Sequence, residues 1–129
     1  MDDRIRATFG KTERLKSKKQ IDLLFTEGKS FSVFPLRLFF NKTHFADGAE
    51  IKAAVSVSKR NFKSAVDRNR IKRLLREAYR LNKPTNFNNS TTSYALLILY
   101  IGKEMPAFEG IKTKMEQLLT KFSERITES

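Results

Sequence analysis

Tyr94 to Ile101 reads Tyr-Ala-Leu-Leu-Ile-Leu-Tyr-Ile, a run without a charge or a turn former. A half-buried strand alternates apolar and polar side chains, so a strand that is apolar at nearly every position needs cover on both faces. The chain must therefore build a sheet with this segment at its centre and pack other elements over it. No apolar run reaches the roughly 18 residues that would span a bilayer. A chain of 129 residues is the length of one domain with one core, and residues 1–129 are read as a single domain.

The remaining elements follow from pattern and punctuation. Residues 1–14 are polar and charged without a period and read as a flexible basic arm. Ser17 offers an N-cap with Gln20 three residues on, Ile21, Leu24 and Phe25 follow at helical spacing, and Gly28 supplies a stop, which predicts a helix over 18–27. Phe31 to Asn41 alternates, with Leu36, Leu38 and Phe40 on one face and Arg37 and Phe39 on the other. Pro35 marks an edge position or a strand start. Asp47-Gly48 is a turn. Ile51 to Ser58 is a second strand, apolar at Ile51, Ala53, Val55 and Val57, and it is expected to pair antiparallel with the first. Ser64 opens the main helix with Asp67 at the capping-box position, and Asn82 and Pro84 end it. Residues 85–93 form a polar loop. A last helix carries Phe108, Ile111, Met115, Leu118, Leu119, Phe122 and Ile126 on one stripe. The order, helix, two or three strands, helix, strand, helix, defines an α+β chain folded as a two-layer α/β sandwich. By the general rule its strand–helix–strand crossover would be right-handed.

Charge narrows the function. The formal net charge is +12, from 26 lysines and arginines against 14 acids. Between Lys59 and Lys83 ten basic residues face only Asp67 and Glu77, so two thirds of the net charge sits in 25 residues. More cations crowd the span from Arg4 to Lys19. Such a field attracts polyanions: nucleic acid, anionic membrane or acidic protein. With no cysteine, disulfides and thiolate metal sites are excluded. MDDRIRATFGKTERLK contains no apolar signal-peptide core, and the cytoplasm is the default compartment. His44, the sole histidine, lies near a turn without a carboxylate beside it and reads as a surface residue.

On a helical wheel of residues 64–81, Ile71, Leu74, Leu75 and Ala78 fall within about 100° of arc, the face that packs on a sheet. Asn69, Lys72, Arg73, Arg76 and Arg80 lie opposite, Arg70 on one flank. Arg68 falls at the edge of the apolar stripe, from which its guanidinium is expected to reach along the sheet surface. A solvated helix face normally mixes signs through i,i+4 pairs. Here Arg76 and Arg80 repel at that spacing, and only Glu77 is placed to offset them. Self-repulsion tolerated over several turns favours an anionic partner. Guanidinium groups suit phosphate, donating two parallel hydrogen bonds and stacking on bases. Neutral Asn69 could meet a base edge, a sugar hydroxyl or a hydrated metal ion. Membrane is disfavoured because the opposite face is needed for the core.

The string AVDRNRIKRLLREAYR, Ala65 to Arg80, resembles the signature of the bacterial ribonuclease P protein family, matching its fixed positions at Arg68, Asn69, Arg70, Lys72, Arg73, Arg76 and Glu77. SVSKR, Ser56 to Arg60, resembles the family's strand end. RLKSKKQIDLLFTEGKSF, Arg14 to Phe31, resembles its opening helix and turn. The likeness covers most of residues 14–122. It implies a protein subunit of an endoribonuclease in which a large catalytic RNA, with Mg2+ bound mainly by that RNA, removes the 5′ leader of precursor tRNA. The partners implied are the catalytic RNA and precursor tRNA, with no membrane, no small-molecule substrate, no catalytic side chain and no metal ligand on the protein. Carried over by position, Lys59, Arg60, Arg68, Asn69, Arg70, Lys72, Arg73, Arg76 and Arg80 are RNA-binding residues. Ile21, Phe25 and Phe39 line a leader cleft, where an aromatic can stack on a base without demanding its identity. The alternative for the two phenylalanines is ordinary core. The resemblance also implies a left-handed crossover.

Two departures from the family pattern stand out. Ile21 occupies a position commonly aromatic, which weakens one stacking platform. The loop Asn61-Phe62-Lys63 lacks a glycine often found there and is one residue longer. The rival reading is a non-catalytic structural RNA-binder such as a ribosomal protein, which explains charge and fold but not the three matching blocks. A protein-only nuclease would need clustered carboxylates or paired histidines, and the acids are scattered.

Overall fold

The apolar run becomes β4 (Ser93–Tyr100) in a computed structural model that describes residues 13–49, 51–82 and 93–128, and all but two of its side chains are buried. Among the described residues the other elements are α1 (Lys18–Glu27), β1 (Lys29–Val33), β2 (Leu36–Thr43), β3 (Ile51–Val57), α2 (Ala65–Asn82) and α3 (Phe108–Glu128). The sheet order is β1-β2-β4-β3, so β4 is interior as its composition requires. Pro84, residues 85–92 and most of the expected arm lie outside the described residues. Ser93, placed in the loop by sequence, opens β4.

Three expectations are corrected. The second and third strands do not pair with each other: β4 inserts between them, antiparallel to β2 and parallel to β3. A parallel neighbour cannot be reached by a tight turn, and α2 supplies the crossover that returns the chain. The Phe31–Asn41 alternation is not one strand. It reverses at Phe34-Pro35, and Val33 pairs with Leu36 across the turn. Pro35 has no N–H for a ladder, which is why alternation on its two sides belongs to two strands. Arg14 is not part of a loose arm. It bridges Ala53 on the free edge of β3, and the Leu15 N–H donates to the Ala53 carbonyl at 2.9 Å.

The core divides at the sheet. On one face Leu36, Leu38 and Phe40 of β2, Ala53 and Val57 of β3, and Leu96 and Ile98 of β4 meet Ile71, Leu75, Ala78 and Tyr79 of α2 and Ile111, Met115, Leu118 and Phe122 of α3. These two layers are the sandwich expected from element order. The other face carries a smaller cluster of Leu15, Leu24, Phe45, Ala95 and Leu97, joined by Ile21, Phe39 and Ala54. Here α1 lies over part of the sheet, and among the described residues no other helix packs on that face.

Local chemistry fixes α1 over that second face. The Ser17 hydroxyl accepts from the Gln20 N–H at 3.3 Å, the N-cap read from sequence. Gly28 ends the helix for a reason other than a left-handed turn: its φ is −74°, and its N–H donates to the Leu24 carbonyl. A Cβ at this position would stand 2.6 Å from that carbonyl oxygen, so only glycine fits. Gly48 does use the left-handed region, at φ 79°, and closes the Asp47 turn. Replacing Ser17 by Ala is expected to cost about 1 kcal/mol in a denaturant titration, the usual worth of an N-cap. A Ser17→Thr variant should retain most of it.

Candidate nucleic-acid interface

Ser64 caps α2, its hydroxyl accepting from the Asp67 N–H at 3.3 Å. With Ile71, Leu75, Ala78 and Tyr79 committed to the core, the helix must turn Asn69, Arg70, Arg73 and Arg76 to solvent, and these four are exposed. Lys72 is half-buried, and Lys59 and Arg60 at the end of β3 are exposed. Among the described residues Lys59, Arg60, Arg70, Lys72, Arg73 and Arg76 have no carboxylate partner. Partial desolvation pulls the Arg76 guanidinium below its ordinary pKa, and the cations Arg14 and Arg73 add to the effect. It stays charged at any physiological pH, so the crowding is repulsion that a bound anion would relieve.

Two predicted contacts are differently engaged. Arg80 is bonded twice to Glu77, Nε to Oε1 at 3.0 Å and Nη2 to Oε2. The pairing holds the Glu77 carboxyl below the usual carboxylate range and raises the arginine. Its charge is offset, so Arg80 adds little to the field. Arg68 does not reach along the sheet surface. Its Nη1 donates to the carbonyls of Phe62 at 2.9 Å and Lys63 at 3.0 Å, folding back over the loop that enters α2. The same loop is pinned from its other end, where Asn61 Nδ2 donates to the carbonyls of Ile101 and Gly102. Phe62 is buried against Tyr100, ring centroids 6.0 Å apart. The loop without the family's glycine is thus ordered by Asn61, Phe62 and Arg68, and it sets where Lys59, Arg60 and α2 point.

The open sheet face holds the second half of the site. Ile21 and Phe39 pack at the edge of the smaller cluster, and Phe25 meets Phe39 with centroids 5.1 Å apart at 57°. Phe25 is 47% exposed, outside either core cluster, whereas Phe39 is partly buried. All three predicted cleft residues are brought together, and Phe25 is the more open ring. The segment Arg14–Leu15 joins the two halves: Leu15 enters the α1 cluster, while Arg14 lies close enough to Arg76 to depress its pKa. His44 is exposed, as expected.

Sequence reasoning gave no role to Arg14, which stood only in the charged terminus and at the head of the Arg14–Phe31 block, or to Arg37, seen only as the alternation partner of Phe39. The Arg37 signal was present: a cation two residues before an aromatic on the same strand face.

On an α+β sandwich, a row of α2 cations without carboxylate partners and, on the sheet's other face, a groove floored by one half-exposed and one partly buried aromatic ring define a small basic RNA-binding protein. A family model described as Ribonuclease P matches residues 9–123. The ribonuclease P protein component of Porphyromonas gingivalis is 38% identical over 128 residues, covering 95% of this chain and 93% of that protein. That of Chlorobium phaeobacteroides is 35% identical over 122 residues, covering 84% of each. The solved structure of the ribonuclease P protein from Thermotoga maritima shares the fold, with a TM-score of 0.64 at 24% identity over 84% of this chain and 96% of that one. The chain belongs to the ribonuclease P protein family. A member of it works within the ribonuclease P holoenzyme, and its partner there is RNA.

Proposed function

We propose that the chain binds the catalytic RNA of ribonuclease P through the exposed face of α2 and holds the 5′ leader of precursor tRNA in the groove between α1 and the sheet. The protein adds no catalytic side chain in this reading. Hydrolysis is left to the RNA and to Mg2+ ions bound mainly by it. The described residues contain no group of three or more His, Asp or Glu side chains that could hold such an ion themselves, and none of their helices is long and apolar enough to cross a membrane.

The observation that carries the proposal is the half-exposed Phe25 ring leaning on Phe39 in the groove under α1, a face that Arg14 links to Arg76 of α2. An apolar ring held at a groove surface has a use when a base covers it. Stacking of that kind is worth about 1–3 kcal/mol per base. Replacing Phe25 by Ala in the reconstituted holoenzyme is therefore expected to weaken binding of leader-bearing precursor by roughly 5- to 150-fold. Mature tRNA, which has no leader, should bind as before. Phe39→Ala should show the same selectivity. A loss shared equally by precursor and mature tRNA would assign the pair to RNA docking in general and would contradict the groove.

A further inference from the structure

Past the end covered by α1, the open sheet face changes character. Leu97, under α1, is 1% exposed, but Leu99, two residues on and on the same face, is half-exposed and belongs to neither core cluster. The register aligns Leu99 with Arg37 on β2 and Ser56 on β3, and Arg37 with Ser32 on β1. A row of two serines, one arginine and one half-exposed leucine thus crosses all four strands beside the aromatic pair.

Arg37 is fixed within that row. Its Nη1 donates to the Ser32 hydroxyl at 3.0 Å and its Nη2 to the Ser30 hydroxyl at 2.8 Å, both on β1. Its guanidinium carbon stands 5.4 Å from the Phe39 ring centroid. Phe25, Phe39 and Arg37 therefore form a continuous ladder across the groove. Among the described residues no carboxylate pairs with Arg37. Two neutral hydroxyls orient the fork without cancelling its charge, and three of its five N–H groups are left over. Holding a long side chain still removes most of the entropy that a later ligand would otherwise have to overcome.

We propose that Arg37, held across the β1–β2 hairpin by Ser30 and Ser32, is a further RNA-phosphate contact that extends the leader groove beyond the Phe25–Phe39 platform to the β1 edge. It rests on the groove reading above and adds a second wall to it. The β3 edge of the groove borders Arg14 and the basic face of α2, and Arg37 places a cation toward the opposite edge. A single strand with a base on the aromatic pair brings the phosphate of a neighbouring nucleotide to the guanidinium, where a charge-assisted pair of hydrogen bonds can form.

The test uses reconstituted holoenzyme and precursor tRNAs whose leaders lengthen one nucleotide at a time, with mature tRNA as the reference. Arg37→Gln is expected to remove the affinity gained at one step of the series, about tenfold, and to leave mature tRNA and the shortest leader unchanged. Arg37→Lys should restore part of that step, since charge returns without the fork. The double variant Ser30→Ala, Ser32→Ala, with arginine retained, should lose less than Arg37→Gln at that same step. Thermal unfolding of each variant separates these effects from instability. Arg37→Gln binding like wild type at every length, while Phe25→Ala keeps its leader-selective loss, would make Arg37 a strap for the hairpin and overturn the proposal alone. Loss of leader selectivity in Phe25→Ala as well would overturn the groove reading and this inference with it.

Discussion

Raising monovalent salt from about 50 to about 200 mM is expected to weaken binding of this chain to ribonuclease P RNA by roughly a thousandfold. Each phosphate neutralised releases condensed counterions, and the affinity falls as a power of salt set by the number of contacts. Nine residues were candidates from sequence, with Asn69 uncharged and eight cationic. The structure divides the eight. Arg80 is neutralised by Glu77 and Arg68 is tied to loop carbonyls. Lys59, Arg60, Arg70, Lys72, Arg73 and Arg76 are left without partners among the described residues. Those six give the expected steepness. The division can be checked residue by residue from the slope of log affinity against log salt. Arg73→Gln should lower that slope by about 1, and Arg80→Gln by clearly less. Equal changes for the two would mean that the Glu77–Arg80 pair opens on binding.

The second large effect falls on the core. Phe122 is fully buried, with ring centroids 5.3 Å from Phe40 and 5.5 Å from Tyr94, so it joins α3 to both β2 and β4. Phe122→Ala is expected to cost about 3–5 kcal/mol, from lost burial and the cavity left behind, and to lower the melting temperature by roughly 10–20 °C. Phe25→Ala should cost about 1 kcal/mol or less, since that ring is half-exposed and loses chiefly its contact with Phe39. Differential scanning calorimetry of the two variants measures the contrast. A Phe25 variant as unstable as the Phe122 variant would place Phe25 in the core and remove the basis for the stacking platform.

How far the sequence discloses this molecule depends on the range of the interaction. Ser17, Ser64, Gly28 and the Asp47-Gly48 turn act within a few residues, and the helix and turn boundaries follow from them. The burial of β4 was legible because composition alone demands two covered faces. Its neighbours were not. Which strands flank an interior strand depends on a crossover through α2, and nothing local to Ile51–Val57 reports it. Pro35 was a visible signal of interruption, yet the alternation on its two sides is the same whether the chain runs on or reverses.

At the site the wheel located every cation on α2, because Cβ directions follow from helix geometry. It could not place the ends of long side chains. Arg68 turned back to Phe62 and Lys63, and Arg80 closed on Glu77. Phe25 and Phe39 were candidates from the family resemblance, with ordinary core as the alternative. The structure separates them by degree, one ring open and one partly enclosed. Arg37 required the partner strand: its two serines are five and seven residues away in the chain, across a hairpin that the alternation hid.

In the proposed reading, this chain assists leader removal by a catalytic RNA. The most direct measurement of that role is the rate of precursor tRNA cleavage by ribonuclease P RNA at low magnesium, with and without the chain, read from the appearance of the mature 5′ end. Strong stimulation is expected, declining as magnesium rises and screens the RNA without the protein's help. Cleavage unchanged by saturating protein, under conditions where the chain binds the RNA, would contradict that reading and leave a structural RNA-binder in its place.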